Sequence, residues 1–238
     1  MTRFSREEML IGKSKLEKLN NSHVAVFGIG GVGSYVCEAL ARAGVGTLTL
    51  IDNDVVSTSN INRQLIALES SIGKKKTAVM KERILDINPE AIVFEINKFY
   101  LPEVEAEFPL DKYDYIVDCI DTVSGKMSLI ERARAMDKKI ISCMGTGNKI
   151  HAEMLEIADI SETSVCPLAR VIRKECKDRG IKQLKVLFSK EQPKKHVLSD
   201  YKEKTNTGRP VPASISFVPS VAGLLIAGEV VRDLINLQ

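Results

Sequence analysis

Two acids, several amides and an arginine crowd one short stretch, DNDVVSTSNINRQ, from Asp52 to Gln64. That set suits work on phosphate: carboxylates take hydroxyls or a hard cation, while amides and a guanidinium neutralise phosphate oxygens and hold an in-line attack in geometry. Hydride transfer needs no such cluster, because the nicotinamide carries the chemistry and the protein mainly orients it. Upstream, Gly28, Gly30, Gly31 and Gly33 lie in VFGIGGVGSYVCEALARAGVGTLTLID (Val26 to Asp52), with Gly28, Gly30 and Gly33 in the G-x-G-x-x-G pattern. Missing side chains let the backbone approach phosphate, the following helix offers N–H groups and its dipole, and Asp52, nineteen residues past Gly33, is spaced to accept ribose hydroxyls. The turn alone does not separate ATP from NAD, since both carry an adenosine ribose and phosphates. The cluster after it favours the triphosphate.

These residues need a frame. His23 to Phe27 and Thr47 to Ile51 read as buried strands flanking a helix over Gly33 to Ala43. Apolar residues at helical spacing predict a helix from Gly73 to Asn88, stopped by Pro89, and Ala91 to Ile96 reads as a third strand. YDYIVDCID (Tyr113 to Asp121) is an apolar run closed by acids, as at the carboxyl edge of a parallel sheet. Helix over Lys126 to Met136 and strand over Lys139 to Cys143 follow. Alternating strand and helix predict an α/β, doubly wound, Rossmann-like, mostly parallel sheet, and 238 residues suit a single domain. A nucleotide-binding half (1–144) and a substrate-facing half (145–238) are expected within it, the latter adding a basic and apolar helical extension.

Composition narrows the partners. Net charge is only +3, yet Arg170 to Lys204 holds twelve Lys or Arg against five Asp or Glu. A basic face of that kind suits a polyanion, although a solvated helix face has the same composition. SFVPSVAGLLIAGEVVRDLI near the C-terminus is interrupted by Glu229, so it reads as a buried helix rather than a membrane span. The N-terminus lacks the features of a secretory signal, which points to the cytoplasm. Five cysteines without a C-x-x-C pair argue against a paired-cysteine zinc site and against a disulfide framework. Cys166, in SVCPLA, is the one thiol whose loop setting could invite a covalent role, although free cysteines are commonly just small buried groups.

GIGGVGS, DNDVVSTSNINRQ, GKKKTAVMKERILDINP and DCIDT, in that order, resemble the ThiF and MoeB superfamily, bacterial relatives of ubiquitin-activating enzymes that adenylate carboxylates with ATP. RFSREEMLIG, NRQLIALESSIGKKK, ADISET and SFVPSVAGLLIAGEVVRDL are most similar to its TcdA/CsdL branch, the tRNA threonylcarbamoyladenosine dehydratases. Absent C-x-x-C pairs agree with that branch. The resemblance implies that Asp52 binds ribose, Asp54 lies near the triphosphate or its metal, Asn60 and Arg63 contact phosphates with Gln64 in support, and Lys76 reaches the phosphates as a flexible charge. It further implies Asp121 as a ligand of Mg²⁺, with Asp118 structural, and Arg6 as completing the ATP site, often from a neighbouring subunit. The implied reaction is ATP-dependent dehydration of the threonylcarbamoyl adenosine at position 37 of tRNA, through adenylation of its carboxylate and ring closure. The implied partners are the tRNA anticodon arm, met by the basic stretch with Tyr201 available for stacking, a second copy in a homodimer, and a sulfurtransferase-system protein. Three other functions share parts of this pattern: activation of the C-terminus of a small ubiquitin-like sulfur carrier, NAD-dependent oxidoreduction, and a non-catalytic adaptor.

Overall fold

Side chains along the central strands alternate between two apolar faces, and that period of two layers the molecule. The computed structural model describes residues 2–195, 197 and 211–237. Two short helices, α1 (Ser5–Ile11) and α2 (Lys13–Asn20), lead into β1 (His23–Phe27), α3 (Gly33–Arg42) and β2 (Thr47–Ile51). Then come α4 (Lys76–Ile87), β3 (Ile92–Ile96), β4 (Tyr115–Asp118), α5 (Val123–Ala135), β5 (Lys139–Cys143), β6 (Leu155–Asp159), α6 (Pro167–Asp178), β7 (Lys185–Ser189) and α7 (Phe217–Ile235). The sheet order is β3-β2-β1-β4-β5-β7-β6, parallel except for β6 against β7. It is the expected doubly wound fold.

Val24 and Val26 of β1 face a core shared with α3, α4 and α7, whereas Ala25 and Phe27 face the opposite core with Tyr100, Phe108 and Leu129. A third cluster lies between α5, α6 and β7. Ala222, Ile226 and Val230 of α7 belong to the first core, so residues from both halves of the chain fill one interior. Glu229, the interruption in the apolar C-terminal run, is paired with Lys185 at 2.7 Å. No helix among the described residues is long and apolar enough to cross a membrane.

Two expectations shift. The helix foreseen from Gly73 begins at Lys76, because residues 73–76 pair with the chain at 54–56: Gly73 N–H donates to Val56 O, Val56 N–H to Lys74 O, and Lys76 N–H to Asp54 O. That pairing holds Lys75 extended, and Lys76 can begin the helix because an N–H in the first turn has no partner within it. The helix foreseen from Lys126 starts earlier, at Val123, with Thr122 extended before it. His196, residues 198–210 including Tyr201, and part of the basic stretch lie outside the described residues.

Candidate nucleotide site at the strand switch point

The chain turns back across its own sheet between β1 and β4, the place where open α/β sheets bind ligands beyond the carboxyl ends of their strands. A cleft of about 410 Å³ opens there. Gly28, Gly30 and Gly31 form one wall, and Asp52, Asp54, Asn60, Arg63, Gln64, Lys76 and Asp121 surround it. Gly28 adopts φ 89°, and a Cβ on it would come within 2.8 Å of Cys119 O. A side chain does not fit there. Gly33 sits behind the turn, where a Cβ would meet Gly28 O at 1.8 Å; it lets α3 close on β1 and does not line the cleft.

Asp52 anchors the turn. Its Oδ2 accepts the Ile29 N–H at 2.7 Å and its Oδ1 the Asp54 N–H at 2.8 Å. Burial pushes its carboxyl above the ordinary value, against the pull of Lys76 and those two amides. Each oxygen keeps a second lone pair for a ligand hydroxyl. Lys76 is only 5 % exposed and donates to Asp54 Oδ2 at 2.7 Å. It is therefore not the flexible point charge the resemblance implied: the pairing of residues 73–76 with 54–56 fixes it at the start of α4. Lys74 and Lys75 are exposed.

Asn60 is buried in a short turn where its Oδ1 accepts the Ser57 N–H at 3.2 Å. Burial lowers the pKa of Arg63, whose Nη1 donates to Ser59 O at 2.7 Å and to Asn62 Oδ1 at 2.9 Å. Gln64 is 8 % exposed, and its Oε1 has no hydrogen-bond partner among the described residues. A buried acceptor left so is costly unless a ligand or water completes it. Asp121 stands exposed on the rim, while Asp118 is buried beneath in an ion pair with Lys126, the structural role expected of it. Arg6 is exposed on α1 and does not line the cleft in its own chain. Phe4 lies near Gly44 and Arg3 bonds Ile87 O, which sets α1 toward the opposite, amino edge of the strands.

The motifs missed part of the lining. Lys98, Phe99 and Tyr100 follow β3, Ile120 follows β4, Thr146 and Gly147 follow β5, Pro212 and Ser214 come from the approach to α7, and Pro219 from its first turn. For those after β3 and β5 a signal existed, since chain just beyond parallel strands gathers at this edge. Residues 211–214 carried none. A larger cleft, about 610 Å³, lies at the amino edge beside β5 and β7. Its charged groups satisfy protein atoms, with Lys138 donating to Asp111 O and Tyr113 O, Lys185 pairing with Glu229, and Asp159 accepting from Ser161 and Leu184, so it lacks the makings of a phosphate site.

The thiols are quiet. Burial raises Cys37 and Cys119 well above the ordinary thiol value and Cys143 to about 12. Cys166, at the head of α6, is buried in the cluster between α5 and α6. Among the described residues no group of three or more His, Cys, Asp or Glu is placed to hold a metal.

The sequence profile of the ThiF family matches residues 4–238. The chain belongs to the ThiF family. A tRNA threonylcarbamoyladenosine dehydratase of Bacillus subtilis (strain 168) is 45% identical over 241 residues, spanning 98% of this chain and 94% of that protein. Crystal structures of E. coli TcdA, a tRNA N6-threonylcarbamoyladenosine dehydratase, in complex with ATP and with AMP superpose with TM-scores of 0.87 and 0.88 at 31% and 30% identity. Each comparison covers 98% of this chain and 94% of the other. The E. coli molybdopterin-synthase adenylyltransferase is similar over a shorter span, 34% identical over 54% of this chain and 52% of its own.

Proposed function

We propose that this ThiF-family chain is a tRNA threonylcarbamoyladenosine dehydratase, using ATP to convert the modified adenosine at position 37 to its cyclic form. One observation carries the reading: a glycine turn, a buried lysine, an arginine, two amides and carboxylates converge on a single cleft in a chain 45% identical to a protein of that name. A carboxylate is a poor electrophile, and adenylation cures this. The threonyl carboxylate oxygen attacks the α-phosphorus, the bond to pyrophosphate breaks, and an acyl-adenylate forms. The carbamoyl group of the same substrate then attacks the activated carbonyl, AMP leaves, and a proton is lost. The net change in the tRNA is one water.

Each side chain has a role that its surroundings support. Gly28, Gly30 and Gly31 let phosphate approach the amino end of α3, and Asp52 takes the ribose hydroxyls. Lys76 and Arg63 neutralise phosphate charge, Lys76 from a fixed position and Arg63 through a planar fork. With the Asn60 oxygen held by Ser57, its Nδ2 is the group for phosphate, and Gln64 supports from across Gly30. Asp54 sets Lys76. For Mg²⁺, Asp121 would offer a carboxylate at the rim of the cleft, the hard oxygen ligand such an ion takes beside phosphates and waters. When bound, the ion supplies charge neutralisation of the triphosphate.

The nucleophile belongs to the substrate, so no cysteine is acylated. The lysines and arginines that the sequence concentrates between Arg170 and Lys204 suit a tRNA backbone. Arg6 belongs with the cleft of a second copy in a homodimer; Met9 and Leu10, strongly exposed on the same helix, support burial there. A tRNA substrate supports a cytoplasmic location. The testing experiment incubates it with tRNA bearing the modified adenosine, with and without ATP, and weighs the digested nucleoside. Loss of one water only with ATP is expected, together with its failure in Arg63→Ala and Asp121→Ala. Full activity in both variants refutes the site assignment.

A further inference from the structure

One wall of the cleft is built from neither a strand end nor a helix. Residues 211–215 run into α7 as a non-helical strap that contributes Val211, Pro212 and Ser214 to the lining. Two asparagines grip it. Asn148, in the left-handed region at φ 60°, donates its backbone N–H to Ala213 O at 2.7 Å and accepts the Ala213 N–H on Oδ1 at 2.8 Å. Asn62 donates Nδ2 to Ser214 O at 3.0 Å. A Cβ on Gly147 would meet Pro212 at 2.7 Å, so the strap lies flat on the turn after β5.

The other end of the Asn62 amide is committed as well. Its Oδ1 accepts from Arg63 Nη1 at 2.9 Å, and the same nitrogen also donates to Ser59 O at 2.7 Å. One carboxamide therefore holds the guanidinium with its oxygen and the strap with its nitrogen. We propose that Asn62 is a positioning residue that couples the triphosphate to the acyl substrate by orienting the strap, which bounds the space where the carboxylate enters. This rests on the reading that the cleft takes ATP and a carboxylate.

The coupling follows from hydrogen-bond geometry. A planar guanidinium engaged by phosphate has one orientation, and the Asn62 amide follows because its oxygen must meet Nη1 in line. The Ser214 carbonyl, and with it the strap, follows the amide nitrogen. A substrate arriving after ATP then finds the wall already ordered, and a ligand that meets prepaid ordering binds more tightly. By linkage the effect is reciprocal.

The test uses the full chain, α,β-methylene ATP as an unreactive nucleotide, and hydrogen–deuterium exchange of the peptide covering residues 211–216. In the native protein the analogue should slow exchange at Ala213 and Ser214 by about fivefold or more and tighten binding of the modified tRNA by a similar factor. In Asn62→Ala both effects should fall below about twofold although the analogue still binds. Asn62→Asp keeps the acceptor for Arg63 and loses the donor to Ser214; its added negative charge beside the guanidinium weakens the analogue, so with the analogue at saturating concentration it should still lose protection of the strap. A merely structural role would loosen the strap equally with and without nucleotide. Native-like protection in either variant, or none in the native protein, overturns the proposal. If the native protein neither binds nor dehydrates the tRNA, the functional reading fails while the exchange result still decides the role of Asn62.

Discussion

Lys126→Met probes the floor beneath the cleft. Lys126 and Asp118 are both fully buried and sit 3.0 Å apart. The ammonium also donates to Cys143 O at 2.7 Å and lies 3.3 Å from Ser142 Oγ, which itself donates to Asp118 Oδ2 at 2.5 Å. The other carboxylate oxygen accepts the Ile120 N–H at 3.2 Å, so this cluster sets the chain that carries Ile120 and Asp121 into the cleft. Met matches the stem of lysine and removes the charge. What remains is a buried carboxylate with hydrogen bonds and no counterion, and losing one partner of such a pair costs about 3–5 kcal/mol. That is a large share of the roughly 5–15 kcal/mol that holds a domain of ordinary stability. Asp118→Asn leaves the ammonium uncompensated and should cost a similar amount. The double variant Asp118→Asn with Lys126→Met removes both charges and should be more stable than the summed single losses predict, by about 2 kcal/mol or more. Urea unfolding of the four proteins measures this. Single losses that add to within about 0.5 kcal/mol refute the argument, because the pair would then contribute no mutual interaction.

Lys76→Met removes a fixed charge from the cleft; at about 4 Å and an effective dielectric near 20 an ion pair is worth roughly 4 kcal/mol, and the exposed Asp54 it leaves behind is well solvated. A loss of about 2–3 kcal/mol in ATP affinity, roughly 30- to 150-fold, should appear in titration calorimetry. Unchanged affinity would remove Lys76 from the site. The pKa of His23 is lowered by burial, with Asp114 opposing, so the unfolded chain protonates first as pH falls. Stability should be fully present above about pH 6.5 and decline as pH falls toward the folded-state pKa, and His23→Gln should flatten that part of a urea-midpoint profile. Cys166→Ala should retain turnover within about twofold, since a thiol buried among Ile172 and Leu184 carries no covalent step; abolished turnover in a folded variant would contradict this.

The sheet was legible because its signals are local and mutually consistent. β1, β2 and β5 coincide with the apolar runs, and the glycine turn with Asp52 follows from what a phosphate requires of a backbone. The start of α4 was not legible, because residues 73–76 are claimed by chain at 54–56, a tertiary pairing that periodicity does not register. The same pairing buries Lys76 and sets it apart from Lys74 and Lys75, a difference invisible in a run of three identical residues. Asn60, Arg63 and Gln64 do meet at the cleft, as their crowding in one motif suggested, whereas Arg6 lies away from it in its own chain. The strap at 211–215 reaches the site through one hydrogen bond to Asn62 and two to Asn148, contacts that join positions 152 and 65 residues apart and follow no sequence period.

The central claim is that this cleft steers ATP to cap a carboxylate on tRNA. Its most direct measurement is the mass of the modified nucleoside after incubation of the tRNA with the protein, with ATP or with α,β-methylene ATP. The account predicts loss of one water with ATP, release of AMP and pyrophosphate in equal amounts with it, and no change with the analogue. Water loss without nucleotide, or ATP consumed while the nucleoside keeps its mass, would contradict it.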